Sequence, residues 1–144
     1  MPQFPRESTW QEGVPHEHEE DREPAGPRGG DRRAGEYTRA LRYCREALAL
    51  FVEFGDRRRE AGVWDSLGYI TFRLGEVAQG RVDYERAITM LRELGDRYRV
   101  AETLTSLGNQ YDRIARHDAA HRAWYHALTL LDELGNPVRA VVSS

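Results

Sequence analysis

A chain of 144 residues with a net charge of −3 is long enough for one ordinary domain with a moderate hydrophobic core. The acidic excess lies in residues 1–34, whereas residues 35–144 contain equal numbers of acidic and basic side chains. A body without excess basic charge does not attract phosphates from a distance, which argues against nucleic acid and anionic membrane as the main ligands.

The first 34 residues are predicted to form a disordered tail. They contain five of the six prolines and a charged run from His16 to Glu23, so they cannot bury enough apolar surface to offset the entropy of ordering. The chain contains no secretion signal and no apolar stretch of membrane-spanning length, and a cytoplasmic location is expected. The only cysteine, Cys44, is interpreted as a small buried hydrophobe in a reducing compartment. All 21 basic residues are arginine, which favours a GC-rich bacterial genome.

From Gly35 onward the sequence repeats with a period of 40 residues. The triplet Phe-Gly-Asp at 54–56 recurs as Leu-Gly-Asp at 94–96 and as Leu-Gly-Asn at 134–136. Alanines at 47, 87 and 127 are in register, and Ser-Leu-Gly occurs at both 66–68 and 106–108. Agreement at so many positions and at one offset indicates a helical-repeat architecture.

Apolar residues within each period recur at three- and four-residue spacing, which predicts helices and not strands. A half repeat at 35–55 contains one helix over about 36–53. Two full repeats follow at about 56–95 and 96–135, each with two helices, and a truncated helix is predicted over 137–144. Residues 35–144 are therefore predicted to form an all-α domain with five main helices.

A glycine ends each repeat, in the position after a helix where a positive φ costs glycine little. The next residue is an aspartate or asparagine, whose side chain can cap the following helix. The three predicted turns are Gly55–Asp56, Gly95–Asp96 and Gly135–Asn136.

These repeats resemble the tetratricopeptide pattern, in which a Trp-x2-Leu-Gly-x2-Tyr helix precedes a helix with alanine, an aromatic residue and alanine. The resemblance implies an α-solenoid, a superhelix of antiparallel helix pairs, that holds another protein. In this pattern the glycines allow close helix approach, and the aromatic residues of the second helices pack in the core. The two copies comprise Trp64, Leu67, Gly68, Thr71, Gly80, Tyr84 and Ala87, and then Leu104, Leu107, Gly108, Tyr111, Ala120, Trp124 and Ala127.

The forty-residue form, with its Leu-Gly-Asp-Arg link, resembles the C-terminal repeats of actinobacterial transcriptional regulators of the Streptomyces antibiotic regulatory protein type. In those regulators the DNA-binding and nucleotide-binding domains precede the repeats, and neither is found in this sequence. The resemblance favours a protein–protein interaction scaffold or adaptor in a bacterial regulatory system. Two alternatives remain open: a sensor module for a signalling peptide or small molecule, and a truncated remnant of a larger regulator.

The same resemblance implies that the first helices of the repeats line a partner-binding groove. Their mixture of aromatic, acidic and arginine side chains suits a protein or peptide partner with an apolar anchor. Chaperone-binding relatives clamp a carboxylate with lysine and asparagine, a pattern that is largely missing here. The groove positions are Asp65, Tyr69, Phe72, Arg73, Thr105, Asn109, Asp112 and Arg113.

No catalytic site, metal site or cofactor is predicted, so the protein is not expected to be an enzyme. His117 and His121 share a helix face at metal-ligand spacing, but a zinc protease would have glutamate after the first histidine. The first copy has no histidine at either position. Ser66 and Ser106 lie beside Leu-Gly on helices, not on a strand-to-helix elbow, and are interpreted as packing residues.

The first helix has no partner helix before it in the repeat pattern. Because repeats bury their core against neighbouring repeats, its apolar face with Leu41, Leu48 and Phe51 is expected to need cover. A second copy of the chain, the tail or another protein would each provide that cover.

Overall fold

The computed structural model describes residues 31–135, and every regular element within them is an α-helix. The predicted all-α class is therefore confirmed for this part of the chain. Within it, no helix combines the length and hydropathy that a membrane span requires. Residues 1–30 of the predicted tail and the helix predicted over 137–144 lie outside the described residues. The five helices are α1 (Asp31–Phe54), α2 (Arg57–Arg73), α3 (Val77–Glu93), α4 (Arg97–Arg113) and α5 (His117–Glu133).

Helix α1 begins earlier than the sequence pattern predicted, at Asp31 instead of near residue 36. Gly35 lies inside this helix. One glycine costs a helix interior only about 1 kcal/mol relative to alanine, so it does not have to end the helix. The arginines and alanine before it have a high helix propensity, which favours the longer helix.

The predicted turns are confirmed where the structure describes them. Gly55, Gly95 and Gly135 all have positive φ, between 71° and 75°. Asp56 and Asp96 cap α2 and α4, because each side chain accepts a hydrogen bond from the backbone N–H three residues later, at 3.1 Å. Asn136, the third predicted cap, lies outside the described residues.

Helices α2 and α3 form one antiparallel pair, and α4 and α5 form a second. The start of α2 lies beside the end of α3, where Arg57 forms an ion pair with Glu93. The same ion pair recurs 40 residues later between Arg97 and Glu133. The side chains of both ion pairs are about half exposed, so each ion pair contributes little to the free energy of unfolding. Their recurrence shows that the two helix pairs have the same geometry.

The two pairs are stacked in register, with α2 alongside α4 in the same direction. Thr103 of α4 donates a hydrogen bond to Asp65 of α2 at 3.1 Å, and Arg58 at the start of α2 lies 2.7 Å from Asp96, the cap of α4. Both contacts join residues 38 apart in sequence. Helix α3 also packs against α4, and α1 packs against α2.

Aromatic rings packed on glycines set the distance between paired helices. A Cβ atom on Gly68 would lie 2.7 Å from the ring of Tyr84, and one on Gly108 would lie 2.4 Å from the ring of Trp124. In the reverse direction, a Cβ atom on Gly80 of α3 would lie 2.5 Å from the ring of Phe72 on α2. The close approach predicted from the sequence is therefore confirmed, and Tyr84 is completely buried.

The apolar face of α1 differs from the prediction. Leu41 and Leu48 pack against the buried core of α2, and Phe51 is half-buried. The predicted face is thus partly covered by α2, and other apolar side chains of α1 are the exposed ones. They are Tyr43, Leu50, Val52 and Phe54.

The first prediction concerns the packing of Gly68. We expect Gly68→Ala to lower the free energy of unfolding by about 1 to 3 kcal/mol, because the new methyl group meets a buried ring that cannot move away. Gly62 provides a control in the same helix, since a Cβ atom there would meet only Arg99 at an ordinary 3.4 Å. Gly62→Ala should raise stability by about 0.5 to 1 kcal/mol through helix propensity. Urea unfolding followed by circular dichroism measures both, and equal effects of the two changes would contradict the packing argument.

A second prediction follows from the backbone at Ala115, which has a φ of 63° at the position where the first repeat has Gly75. Left-handed backbone costs alanine about 1 to 2 kcal/mol, whereas glycine adopts it freely. We expect Ala115→Gly to raise the free energy of unfolding by about 1 kcal/mol and the reciprocal Gly75→Ala to lower it by about the same amount. The melting temperature should change in the same direction in each variant. Calorimetry of both variants measures this, and a loss of stability in Ala115→Gly would show that the turn is not strained.

Candidate binding face on helices α1, α2 and α4

Four of the eight predicted groove residues, Asp65, Tyr69, Arg73 and Arg113, lie on the side of the stacked pairs where α2 and α4 run in the same direction. Asp65, Tyr69 and Arg73 follow one another at four-residue intervals, so they form a row along α2. Helix α1 borders this row, since the ring of Tyr37 lies 6.4 Å from the ring of Tyr69. We refer to the surface formed by Tyr37, Asp65, Tyr69, Arg73 and Arg113 as the binding face.

A shallow surface depression of about 500 Å³ lies at one end of the binding face. Two of the predicted residues, Asp65 and Tyr69, line it. The remaining lining residues come from α1, α2 and α4 and were not predicted as site residues. They are Cys44, Gly62, Ser66, Ile70, Arg99 and Ser106.

Asp65 is a half-buried carboxylate at the junction of α2 and α4. Burial raises its pKa, and the hydrogen bond from Thr103 and the charge of Arg99 offset part of that rise. The carboxylate therefore carries its charge in surroundings that favour the neutral acid. Asp65 both joins the two helices and presents a polar group to the depression.

Ser106 is held by a buried phenol. Its hydroxyl oxygen lies 2.9 Å from the hydroxyl oxygen of Tyr84, and burial raises the pKa of Tyr84. A serine whose hydroxyl is bonded to a neutral phenol has no base to activate it as a nucleophile. The packing interpretation of Ser106 fits this geometry, whereas its partner in register, Ser66, is exposed.

Tyr69 and Arg73 form a stacked pair on the surface of α2. The guanidinium carbon of Arg73 lies 4.9 Å from the centre of the Tyr69 ring, a cation–π distance. Tyr69 remains 37% exposed, so part of its ring is open to a ligand. The combination places an aromatic contact surface directly beside a positive charge.

The other four predicted groove residues do not all belong to the open surface. Phe72 is only 1% exposed and packs edge-on against Tyr111 in the core, so it cannot contact a partner. Asn109 accepts a hydrogen bond from the indole N–H of Trp124 at 3.1 Å. The hydroxyl of Thr105 donates to a carbonyl of its own helix, and Asp112 lies 3.1 Å from His117. These three residues are exposed, but their polar atoms already stabilise α4 and its connection to α5.

The surroundings of the histidine pair and of the cysteine bear on metal binding and on nucleophilic reactivity. His117 contacts Asp112, and the ring of His121 lies 5.7 Å from the ring of Trp124. Within residues 31–135, no group of three or more potential metal-ligating side chains lies close together. Burial raises the pKa of Cys44, which keeps its thiol protonated and weakly nucleophilic at neutral pH.

A larger depression of about 660 Å³ lies on the opposite side, between α3 and α5, and sequence reasoning did not find it. Its floor contains Leu104, Leu107 and Tyr111 of α4, and charged side chains surround it. Much of that charge is paired within the fold, as in the ion pair between Arg81 and Glu85 at 3.1 Å. This surface therefore offers a partner fewer uncommitted groups than the binding face does.

Comparisons of the chain with models of known protein families, with curated proteins and with solved structures found no match. What the binding face does must therefore be inferred from its own residues.

The third prediction concerns the charge of Asp65. Because the folded state raises its pKa, the folded chain binds this proton more readily than the unfolded chain, and the ionised carboxylate lowers stability at neutral pH. We expect Asp65→Asn, which keeps an acceptor for Thr103, to be at least as stable as the unsubstituted chain at pH 7. That difference should shrink as the pH falls from the raised pKa of Asp65 towards 3.8.

Urea unfolding of both chains between pH 7 and pH 4 measures this difference. Asp65→Ala is the matched control, because it removes the acceptor and leaves the buried hydroxyl of Thr103 without its inter-helix bond. It should be about 1 to 3 kcal/mol less stable than Asp65→Asn. A pH-independent difference between Asp65→Asn and the original chain would show that the carboxylate is not desolvated.

Proposed function

We propose that this chain is a protein–protein interaction module of the tetratricopeptide kind, which binds a peptide segment of a partner across the binding face. The observation that carries the proposal is the open row of Asp65, Tyr69 and Arg73 on helices that are already fully packed from behind. A rigid surface loses little conformational entropy when a ligand binds, so its contacts translate efficiently into affinity.

Support for the tetratricopeptide assignment comes from the packing at the family's characteristic positions. Gly68 and Gly108 contact the aromatic rings of the following helix, and the pairs repeat at the 40-residue period of the sequence. Antiparallel pairs stacked in register are the elements from which an α-solenoid is built. We extend this to a superhelix whose inner surface is the binding face.

Support for peptide binding comes from the composition of the face. Exposed tyrosine and arginine are the residues most often found at the energetic centre of protein interfaces. Tyr69 and Arg73 are already held against each other, so they lose less side-chain freedom on binding than separate surface residues would. In the setting proposed here, the chain is a cytoplasmic adaptor in a bacterial regulatory system, related to the repeat regions of larger transcriptional regulators.

The fourth prediction tests the binding face with displayed random peptides. Panning on the purified chain should select peptides whose affinity, measured by calorimetry, falls at least about tenfold in Tyr69→Ala. Tyr125→Ala is the matched control, because Tyr125 is a tyrosine of α5 that is 69% exposed and lies outside the binding face. Its loss should leave the affinity unchanged.

Either of two results would refute the proposal. One is that repeated panning selects no peptide that binds the folded chain. The other is that the selected peptides lose affinity in Tyr125→Ala and retain it in Tyr69→Ala, which would place the binding surface elsewhere.

A further inference from the structure

Two arginines meet at one end of the binding face. Arg73 lies in the last turn of α2 and Arg113 in the last turn of α4, exactly one 40-residue period later in the sequence. Since α2 and α4 run side by side in the same direction, their C-terminal ends are neighbours. Partial desolvation and then the positive charge of Arg73 lower the pKa of Arg113, as expected for two cations at neighbouring helix ends.

Within the described part of the chain, neither arginine is paired with a carboxylate. Among residues 33–135, no acidic side chain forms an ion pair with Arg73 or Arg113, and the Nε atom of Arg73 is buried without a hydrogen-bond acceptor. Arg73 is the nearby cation that disfavours the charged form of Arg113. The C-terminal carbonyl groups of each helix attract a cation weakly, but they do not replace an anion.

Aromatic rings lie beside this pair. The guanidinium carbon of Arg73 lies over the ring of Tyr69, and a guanidinium carries five N–H donors in its plane. Tyr37 packs against Tyr69 from α1 and limits its movement. The two guanidinium groups are both positively charged and partly desolvated. Their N–H groups can donate hydrogen bonds to the oxygen atoms of one anion.

We propose that Arg73 and Arg113 together bind an oxyanion, either a carboxylate or a phosphate group, carried by the peptide that occupies the binding face. This inference rests on the proposed function for the identity of the carrier. An anion between the two guanidinium groups would remove their mutual repulsion.

The first experiment tests the anion site without any peptide. The chain, labelled with nitrogen-15, is titrated with inorganic phosphate at constant ionic strength, and the arginine Nε–H resonances are followed. The signals of Arg73 and Arg113 should shift and saturate. In Arg113→Gln, the apparent affinity of Arg73 for phosphate should fall at least about tenfold, the loss expected for one charge-assisted contact.

Arg92→Gln is the matched control, because Arg92 is the last-turn arginine of α3 and lies outside the binding face. It should leave the phosphate response of Arg73 unchanged, which separates a site from the general effect of a helix C-terminus. A response of Arg73 and Arg113 that does not saturate, or that is no larger than that of Arg92, overturns the inference. Because Arg113 is exposed, its replacement leaves the fold intact, and circular dichroism verifies this.

The second experiment identifies the source of the oxyanion with peptides selected on the unsubstituted chain. In these peptides a glutamate or aspartate should be required, and its replacement by the amide should weaken binding at least about tenfold. Phosphoserine at that position should restore or exceed the original affinity if the pair accepts a dianion. In Arg113→Gln, the acidic peptide and its amide counterpart should bind with the same affinity.

The outcomes distinguish this inference from the proposed function. In one outcome, the selected peptides lose affinity in Tyr69→Ala but keep it after acid-to-amide exchange and in Arg113→Gln. That result supports the peptide-binding function and overturns the oxyanion site. Saturable phosphate binding at Arg73 and Arg113 in the absence of any selected peptide supports the oxyanion site and refutes the peptide-binding function.

Discussion

The close approach of glycine backbone to aromatic rings is the constraint on which the described structure depends. Tyr84 lies on Gly68 across the first pair, and Phe72 lies on Gly80 in the opposite direction, so each helix receives a ring from the other. The ring of Tyr84 is buried, yet its hydroxyl extends beyond the pair and reaches Ser106 of α4 at 2.9 Å. One side chain therefore fixes the spacing within a pair and also connects that pair to the next. A smaller residue at position 84 would lose both functions, and a larger residue at position 68 would clash with the same ring.

The two pairs achieve the same spacing by different chemistry. In the second pair Trp124 replaces Tyr84, and its indole N–H donates to Asn109 within that pair instead of reaching a further helix. Inside the pairs, the first has a polar contact where the second is apolar: Gln79 donates to the buried carboxylate of Asp83, and the hydroxyl of Thr71 lies 3.3 Å from it. The corresponding residues of the second pair are Tyr111 and Ala123, a large ring opposite a small side chain. The two repeats therefore fill equivalent positions with different side chains, and their hydrogen bonds differ accordingly.

Local signals in the sequence were sufficient for the helices and turns and insufficient for the site. The glycine and aspartate turns were predictable because positive φ and N-capping depend on single residues, and the paired glycines and aromatic rings were predictable from the family pattern they resemble. Phe72 was wrongly placed in the groove because adjacent helix positions differ by about 100°, so a residue beside the exposed Arg73 can face the core. Tyr37 and Ser106 were missed because their roles come from contacts between helices that are far apart in sequence. No periodicity within one helix could reveal them.

The order of the charged and aromatic side chains gives the binding face a direction. Along α2, Asp65, Tyr69 and Arg73 follow at intervals of four residues, and the row extends about 12 Å at the usual rise of an α-helix. A ligand therefore meets a carboxylate with a raised pKa, then an aromatic ring, then a pair of guanidinium groups. Reversing an extended peptide on such a surface would bring an acidic side chain towards Asp65 and leave the arginines unpaired. Like charges in partly desolvated surroundings oppose binding, so under the peptide-binding proposal the order of charges along α2 would select the orientation of the peptide as well as its composition.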